Sequence, residues 1–348
     1  MSDQQDESGK KSSGLGRVLA ILGGVVLALG LLVAAGAYGG WIWLNQQFEN
    51  PGPSQSPQTV LLQSGSGLIS IANQLEREGL VQDGRLFRIM VTLDGGDRTL
   101  RAGEFAMPAG VSMAEIYDIL RFGDTIQHAV TLAEGLTSAM IVRELEQYDV
   151  LTGSVDMTPP EGSLLPETYL VDRETSRAAV LQRMAQAQTD LLDELWPNRA
   201  EDLPFDTREE AIILASIVEK ETGVGEERGE VAAVFVNRMR IGMRLQTDPT
   251  IIYGITQGEP LGRGIRRSEI DDASNAYNTY QIDGLPPGPI ANPGEAAIRA
   301  VLNPPENDYF YFVADGTGGH AFARTLAEHN RNVAQWRRIE RQRRAAGN

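Results

Sequence analysis

Cysteine is missing from the 348-residue sequence, which excludes disulfide bonds, thiolate nucleophiles and cysteine-ligated metals. Histidine occurs only three times, at His128, His320 and His329, and no His-Glu-x-x-His pattern is present. The sequence also has no Gly-x-Ser-x-Gly elbow and no glycine-rich phosphate loop of either standard spacing. We therefore expect neither a metal site nor a nucleotide phosphate site.

Lysine is scarce and acidic residues are in excess, so the formal net charge is −16 at pH 7. A charge of this sign disfavours nucleic acid as the main partner, because phosphate binding needs a basic surface. The hydrophobic content of 42% and the chain length are sufficient for two or more folded units.

The longest apolar run extends from Val18 to Leu44, has 27 residues without a charge, and contains Trp41 and Trp43 near its end. Such a length crosses a hydrocarbon core of about 30 Å, and tryptophan is enriched at membrane interfaces. A cleaved signal peptide is the alternative, because Ala34 to Ala37 offers small residues for cleavage. The run is, however, longer than the roughly 7–15 apolar residues of such a segment.

Positive charge is concentrated before this run. Lys10, Lys11 and Arg17 precede it, and the next basic residue is Arg77. The positive-inside rule therefore places residues 1–16 in the cytoplasm as a polar tail and the folded part of the chain outside the membrane.

The part of the chain after the apolar run is predicted to be α+β, with a small α/β module followed by a larger domain of helices and antiparallel sheet. Asn50 to Gln58 is rich in proline, glycine and serine, which predicts a linker that lets the folded part stand off the membrane. By composition alone, the small module is equally well interpreted as a spacer. The expected boundaries are 1–16 for the tail, 17–44 for the transmembrane helix, 45–58 for the linker, 59–125 for the module and 126–340 for the larger domain.

The stretch Ala215 to Thr222 lies in a predicted helix that begins near Thr207, where Thr-x-x-Glu is a capping-box pattern with Glu210. A helical wheel with about 3.6 residues per turn places Glu221 in the middle of an apolar face. The apolar side chains of that face are Leu214, Ile217 and Val218. Glu219 points to nearly the opposite side, and we expect it either to face solvent or to make a structural contact.

A carboxylate among apolar neighbours is costly to ionise, so the pKa of Glu221 should be raised. A raised pKa is what a general acid needs at neutral pH. The alternative is a structural role at the edge of the core, in which Glu221 pairs with an arginine such as Arg238 or Arg244. The wheel alone does not decide between the two.

The segment from Met243 to Thr250 allows two interpretations. Asp248 precedes Pro249, which is typical of an N-cap followed by a proline in the first turn of a helix. Alternatively, Asp248 lines a groove together with Arg244 and Gln246.

The segment from Tyr277 to Gly294 is the most unusual loop, because it is long and contains several prolines. Long ordered loops often carry functional residues. Tyr277, Asn278 and Tyr280 suit a sugar, since an aromatic ring stacks on a sugar face and an amide bridges hydroxyl groups. We therefore predict that this loop forms one wall of a groove beside Glu221. A structural loop stiffened by proline is the alternative.

Five sequence blocks, taken together, resemble the YceG-like family, the endolytic murein transglycosylases of bacteria. They occur in the family's order and spacing over roughly residues 60–338, after a single N-terminal apolar run. Each block alone is of modest specificity, but the set is specific. The blocks are Ala215 to Thr222 (ASIVEKET), Val236 to Pro249 (VNRMRIGMRLQTDP), Ala276 to Tyr280 (AYNTY), Gly284 to Gly288 (GLPPG), and Val313 to Gly316 (VADG) with Gly318 to His320 (GGH).

The resemblance implies an enzyme of the bacterial inner membrane whose periplasmic part cuts nascent glycan strands of peptidoglycan internally. It implies a LysM-like, glycan-binding fold for the small module at 59–125. It also implies that Glu221, the second glutamate of the Glu-Lys-Glu-Thr motif, is the catalytic residue. The helical wheel selects the same residue independently.

Lytic cleavage of the bond from MurNAc to GlcNAc can use a single carboxylic acid, forms a 1,6-anhydro end, and needs neither a metal nor a redox cofactor. The expected partners are glycan strands, the inner membrane and, from the family and the membrane anchor, peptidoglycan synthases. The expected sugar contacts are Gln246, Asp248, Tyr277, Asn278 and Tyr280.

Two other functions stay open. A muramidase-type hydrolase would cut the same bond with water and would use Asp248 as its second carboxylate. A non-catalytic glycan-binding scaffold of the cell-wall synthesis machinery would keep the module and the membrane span without chemistry.

Overall fold

The computed structural model describes residues 13–345, with side chains from residue 17, so residues 1–12 and 346–348 lie outside the described part. Most of the polar tail expected over residues 1–16 is therefore outside the described residues. The chain divides into two compact units, and the division falls between Ile126 and Gln127.

The described part of the first unit has four helices and one two-stranded sheet. The helices are α1 (Ser13–Glu49), α2 (Leu68–Arg77), α3 (Gly84–Leu93) and α4 (Met113–Phe122). The strands are β1 (Gln58–Leu62) and β2 (Gly103–Met107), which pair antiparallel. Side chains of α2, α3, α4 and both strands form one apolar core, in which Leu75, Phe87 and Phe105 have no exposed surface.

The stretch from Arg17 to Glu49 is, within residues 13–345, the one helical stretch long and apolar enough to cross a membrane. Its side chains are largely exposed in the structure, as Val33 illustrates with 72% of its surface accessible. An N-terminal signal sequence meets the same criteria of length and composition.

α1 continues without a break from the apolar run into the first unit. Leu44 and Phe48 pack against the apolar core of that unit. A Cβ atom on Gly52 would lie 2.2 Å from the carbonyl oxygen of Val111, so the backbone approaches closely where only glycine fits. The prediction of a flexible linker over residues 45–58 is therefore wrong, because apolar side chains and a close backbone contact fix this segment to the unit.

The described part of the second unit has eight helices and three two-stranded sheets. The helices are α5 (Ser138–Glu146), α6 (Arg177–Leu195), α7 (Arg208–Glu221), α8 (Arg228–Arg240), α9 (Asp248–Thr256), α10 (Arg267–Ile270), α11 (Glu295–Leu302) and α12 (Leu326–Ala345). The strands are β3 (Gln127–Thr131), β4 (Leu151–Thr152), β5 (Thr168–Asp172), β6 (Thr175–Ser176), β7 (Tyr311–Ala314) and β8 (His320–Ala323). β3 pairs with β5 and β7 with β8, both antiparallel, whereas β4 and β6 form a short parallel pair. The predicted mixture of helices and antiparallel sheet is confirmed in this coarse form.

α7 is buried on all sides along most of its length. Every residue from Ala211 to Val218 is buried, and the helix packs against α8, α9 and α11. The predicted capping box is confirmed, since the Thr207 hydroxyl accepts from the Glu210 N–H at 3.2 Å and the Glu210 carboxylate accepts from the Thr207 N–H at 3.0 Å. The expected single apolar face is wrong, because neighbouring helices surround α7.

The loop from Tyr277 to Gly294 is largely packed into the second unit. Ile290 donates its N–H to the Ser216 hydroxyl at 3.0 Å, and both residues are buried. Asn292 has no exposed surface, and its side-chain carbonyl accepts from the Leu164 N–H at 3.0 Å. The structural alternative therefore describes most of this loop, because its polar groups are committed to hydrogen bonds within the protein.

Candidate active site

Glu221, the last residue of α7, lines a cavity of about 560 Å³. The cavity wall combines the end of α7 with residues of α8, the start of α9, the hairpin β7–β8 and the start of α12. Segments that are distant in sequence thus meet around one carboxyl group. The other polar and aromatic side chains of the wall are Arg238, Gln246, Asp248, Tyr280, Tyr311, Phe312, His320 and His329.

One hydrogen bond holds the carboxyl group of Glu221, from the Thr247 hydroxyl to Oε1. Thr247 is itself buried and fixed, because its N–H donates to the Thr279 hydroxyl at 3.0 Å. The second oxygen of Glu221, Oε2, makes no hydrogen bond to any side chain or backbone group of the described residues. One carboxyl oxygen is therefore held by the protein, and the other is available to a molecule in the cavity.

Burial raises the pKa of Glu221 above its ordinary value of 4.5 and is the largest influence on it. The hydrogen bond from Thr247 lowers the pKa, Asp248 raises it further, and His320 and Arg238 lower it. Glu221 also ends α7, where the negative end of the helix dipole disfavours another negative charge. The Glu221 carboxyl therefore keeps its proton to a higher pH than an exposed glutamate, as a general acid must.

We expect Thr247→Val to move the alkaline limb of the pH–activity profile to higher pH. The hydroxyl stabilises the ionised carboxylate, so its removal raises the pKa of Glu221 and extends to higher pH the range in which Glu221 is protonated. Thr247→Ser keeps the donor and should leave the limb in place. Profiles of kcat/KM against pH for the three proteins measure the shift, and coincident limbs for wild type and Thr247→Val would contradict it.

Arg238 places a buried cation in the cavity wall. Its Nε donates to the Phe310 carbonyl at 2.7 Å, and its Nη1 donates to the Leu245 carbonyl at 2.5 Å. Its third nitrogen, Nη2, has no hydrogen-bond partner among the residues that the structure describes. Arg238 and Glu221 form no direct ion pair within the described part of the chain and interact only through a longer-range charge effect. The alternative of a structural pair between them does not hold.

His320 is held in a fixed orientation by Glu227, which lies in the turn between α7 and α8. Glu227 Oε2 is 2.8 Å from Nδ1 of His320, and Oε1 accepts the His320 N–H at 3.0 Å. The His320 ring meets Phe312 edge to face, with ring centroids 5.3 Å apart. These contacts leave Nε2 as the ring nitrogen that Glu227 does not engage.

Asp248 is the first residue of α9, and the N-cap position belongs to Thr247. The expectation that Asp248 is the N-cap is therefore wrong. Its exposed carboxylate instead accepts from the Tyr280 hydroxyl at 2.8 Å, and both residues line the cavity. Burial and the neighbouring Asp248 raise the pKa of Tyr280, so its hydroxyl keeps the proton that it donates. Arg244, the other arginine considered for Glu221, pairs with Asp283 at 2.8 Å.

The remaining expected sugar contacts separate into two groups. Gln246 lines the cavity and is exposed, with a left-handed backbone at φ 53°. Tyr277 does not line the cavity, and its ring packs on Tyr253 with centroids 4.8 Å apart. Asn278 has no exposed surface, so it cannot reach a ligand. Its amide nitrogen donates to the backbone carbonyls of Glu269, Ile270 and Asp272.

Glu219 is not directed to solvent but makes a structural contact, the second of the two outcomes expected for it. Only 6% of its side chain is exposed, and its carboxylate accepts from the Gly294 N–H at 3.0 Å. Arg228 Nη2 lies 3.4 Å from Glu219 Oε1 and 3.7 Å from a carboxylate oxygen of Glu134. Burial raises the pKa of Glu219. Both glutamates of the motif are therefore withdrawn from water, and they differ in that only Glu221 faces the cavity.

Sequence reasoning missed several residues of the candidate site, which are Thr247, the hydrogen-bond donor to Glu221, and the cavity-lining residues His320, Tyr311 and His329. Thr247 and His320 belong to the sequence blocks that resemble the YceG-like family, and that membership was the available signal. Tyr311 and His329 carry no local pattern that indicates a site. Residues 17–345 contain no group of three or more histidine, aspartate or glutamate side chains placed to hold a metal ion.

The sequence profile of the YceG-like family matches residues 60–335. The chain belongs to the YceG-like family. The residues that line the cavity around Glu221 all lie within the matched range.

Proteins similar to this chain include two that are named endolytic murein transglycosylases. An endolytic murein transglycosylase of Bacillus subtilis (strain 168) is 29% identical over 311 residues, covering 80% of this chain and 84% of the relative. A protein of the same name from Streptococcus pneumoniae serotype 2 (strain D39) is 28% identical over 355 residues, covering 88% of this chain. The alignment covers 63% of that pneumococcal relative, so part of its length has no counterpart here. A crystal structure of a putative yceG-like protein from Listeria monocytogenes at 2.6 Å is 26% identical, with a TM-score of 0.46, over 80% of this chain and 99% of the other.

Proposed function

We propose that this chain is an endolytic lytic transglycosylase that cuts the β-1,4 bond from MurNAc to GlcNAc in nascent peptidoglycan and terminates strand elongation. The observation that carries the proposal is a single carboxyl group, Glu221, with a raised pKa and one free oxygen on a cavity. Membership of the YceG-like family and the names of the relatives support the same substrate.

The first step is protonation of the leaving group. Glu221 donates the proton on its free oxygen to the glycosidic oxygen, and the bond from this oxygen to the MurNAc anomeric carbon breaks. Positive charge develops on that carbon and its ring oxygen, as in other glycoside cleavages. Asp248 places a negative charge on the same cavity, which stabilises such a centre.

The second step closes a ring within the substrate. Glu221, now a carboxylate, accepts the proton from the C6 hydroxyl of MurNAc as this oxygen bonds to the anomeric carbon. The product is 1,6-anhydroMurNAc, and no water is consumed. The hydrogen bond from Thr247 suits this step, because it stabilises the ionised form of Glu221. Attack by a group of the same sugar benefits from proximity.

The other groups of the cavity suit substrate positioning. Arg238 presents a nitrogen donor and His320 presents the ring nitrogen Nε2, both from fixed side chains, and Gln246 and Tyr280 offer polar groups at the exposed edge. We assign Gln246, Asp248 and Tyr280 to sugar contacts. Tyr277 and Asn278 are not included, because their side chains are engaged elsewhere in the protein.

A muramidase-type hydrolase is the second candidate, because Asp248 is an exposed carboxylate on the cavity that contains Glu221. It would activate a water molecule where the lytic reaction uses the C6 hydroxyl. The two mechanisms therefore differ in whether the oxygen of water enters the product.

Product analysis in ¹⁸O-labelled water tests both mechanisms. Nascent glycan polymerised in vitro is digested with the full-length protein in detergent or vesicles, and the new ends are examined by mass spectrometry. We expect anhydroMurNAc ends without ¹⁸O. Reducing MurNAc ends that carry ¹⁸O would overturn the lytic mechanism in favour of the hydrolase. No cleavage of nascent glycan by the folded wild type would favour a non-catalytic scaffold.

The proposal extends to the place of the protein in the cell. α1 is proposed as a single span of the bacterial inner membrane with its N-terminus in the cytoplasm, because Arg17 precedes the apolar run and no basic residue follows until Arg77. The first unit is proposed as a LysM-like glycan-binding module, on the basis of the family resemblance. Peptidoglycan synthases are proposed partners, since they produce nascent strands at the same membrane. A pull-down from solubilised membranes that contains no synthase would count against the last point.

A further inference from the structure

Two large apolar side chains are exposed at the C-terminal ends of two helices in the first unit. Leu93 ends α3 and has 61% of its surface exposed, and Phe122 ends α4 and has 70% exposed. The two helix ends are tied together, since Arg121 contacts Asp94 at 3.1 Å and the Tyr117 hydroxyl donates to Asp94 at 2.7 Å. We call Leu93 and Phe122 the apolar tip.

The direction of α1 relative to these helices follows from contacts at its C-terminal end. Just after α1, Gly52 lies against the carbonyl groups of Leu80 and Val111, which precede α3 and α4. One helical turn earlier, Phe48 lies against Phe87 and Tyr117, in the middle of the same two helices, with centroid distances of 6.3 and 6.4 Å. A step backward along α1 thus corresponds to a step forward along α3 and α4, so α1 runs antiparallel to both.

This antiparallel arrangement determines which residues of α1 lie at the same level as the apolar tip. From Phe87 to Leu93 and from Tyr117 to Phe122 the helices advance by about 8–9 Å at about 1.5 Å per residue. The same distance backward from Phe48 along α1 reaches the level of Trp41 to Trp43. The apolar tip is therefore level with the tryptophans that end the uncharged run.

Charged groups around the tip cancel one another. The arginines at or near these helix ends are Arg98, Arg101 and Arg121, and the aspartates are Asp94, Asp97 and Asp124. Several of them are already engaged, as in the contact of Arg121 with Asp94. Attraction to anionic lipid is therefore not the main force at this surface, whereas Leu93 and Phe122 are suited to the boundary between headgroups and acyl chains.

From this geometry we infer that the first unit lies on the periplasmic face of the membrane that α1 is proposed to span. Leu93 and Phe122 are then inserted in the membrane interface beside Trp41 and Trp43. The inference rests on the proposed membrane span of α1. The apolar tip contacts lipid, because α1 continues into the first unit without a flexible linker that would let the tip move away from the membrane. The first unit is thus held at the membrane surface.

Fluorescence quenching by spin-labelled lipids tests whether the apolar tip contacts the membrane. The chain has no cysteine, so a single cysteine can be introduced and labelled with an environment-sensitive dye in the full-length protein. Labels at Leu93→Cys and Phe122→Cys report on the tip. Matched controls are Gln82→Cys and Ala109→Cys, exposed positions just before α3 and α4 at the opposite end of the same helices.

In zwitterionic vesicles with nitroxides near the headgroups, we expect the labels at 93 and 122 to be quenched at least about twofold more than those at 82 and 109. Raising the salt concentration should not abolish the difference, because the contact is apolar. Equal, weak quenching at all four positions would overturn the inferred membrane contact of the apolar tip. Protection of the tip labels together with excimer formation between pyrene-labelled copies would overturn it in favour of a second copy of the chain.

A label at Leu32→Cys separates this inference from the proposed span. Leu32 lies in the middle of the uncharged run and is 70% exposed in the structure. Quenching of this label by nitroxides at the acyl-chain ends is expected if α1 crosses the membrane. If the label at position 32 is quenched and the labels at the tip are not, the membrane contact of the tip is rejected and the membrane span is kept. If the label at position 32 is not quenched, the membrane span itself is rejected.

Discussion

Glu221→Gln is expected to reduce cleavage of nascent glycan by about 10²- to 10⁴-fold, the range attributed to a general acid–base group. Glutamine has nearly the same size and can still contact Thr247, but it has no proton to donate to the glycosidic oxygen and cannot accept one from the C6 hydroxyl. Both proposed steps are therefore lost together. The measurement is the rate of release of anhydroMurNAc ends by equal amounts of folded protein.

The same substitution should not weaken folding. The pKa of Glu221 is raised in the folded protein, so its favourable contribution to stability is fully present below its unfolded pKa. That contribution is lost as pH rises through the folded pKa, because the buried carboxyl must then ionise. Glu221→Gln removes this loss, so its Tm should equal or exceed that of wild type at neutral pH and should fall less between acid and neutral pH.

Glu209→Gln is the matched control, because Glu209 is an exposed carboxylate in the first turn of the same helix. It should leave both activity and Tm close to those of wild type. If Glu221→Gln kept more than a small fraction of the wild-type rate, or lost its activity only by unfolding, Glu221 would not be the acid.

Arg228→Met is expected to cost about 3–5 kcal/mol of folding stability at neutral pH, the range for removal of one partner from a buried ion pair. Arg228 has 13% of its side chain exposed and Glu219 has 6%, so water compensates little for the loss of the cation. Glu219 and Glu134 would then face each other without the positive charge between them. For a domain of this size the cost corresponds to a decrease in Tm of roughly 6–20 °C.

The pH dependence of this cost has a definite sign. Arg228 lowers the pKa of Glu219 against the larger effect of burial, so Arg228→Met raises that pKa further. Glu219 destabilises the folded variant as pH rises through its folded pKa and is protonated at low pH. The difference in Tm from wild type should therefore be largest at neutral and alkaline pH and should shrink towards pH 4.5, the ordinary value for glutamate.

Two further variants make the test specific. Arg228→Met combined with Glu219→Gln should recover part of the lost stability, because the unpaired charge is removed as well. Arg299→Met is the exposed control: Arg299 pairs with Glu295 and Glu194, but 46% of its side chain is exposed, so at most about 1 kcal/mol is expected. A decrease in Tm for Arg228→Met no larger than for Arg299→Met would contradict the importance of the buried pair.

Much of the secondary structure could be predicted because its signals are local. Capping residues determine helix starts through hydrogen bonds within one turn, and the capping box of Thr207 and Glu210 at the start of α7 was predicted for this reason. The flexible linker was predicted wrongly and the position of Glu219 was left open, because each depends on contacts with residues more than 50 positions away.

The sequence by itself determined the uncharged N-terminal run, the absence of cysteine chemistry and the choice of Glu221 as the candidate acid. These follow from composition, periodicity and a short motif, which need no knowledge of neighbours. Only the tertiary structure decided what surrounds Glu221. Thr247 contacts it, Arg238 and His320 line the same cavity from separate elements, and Asn278 is withdrawn into the interior. The pKa of a buried group depends on charges and donors a few ångströms away in space, and helical periodicity carries no information about those distances.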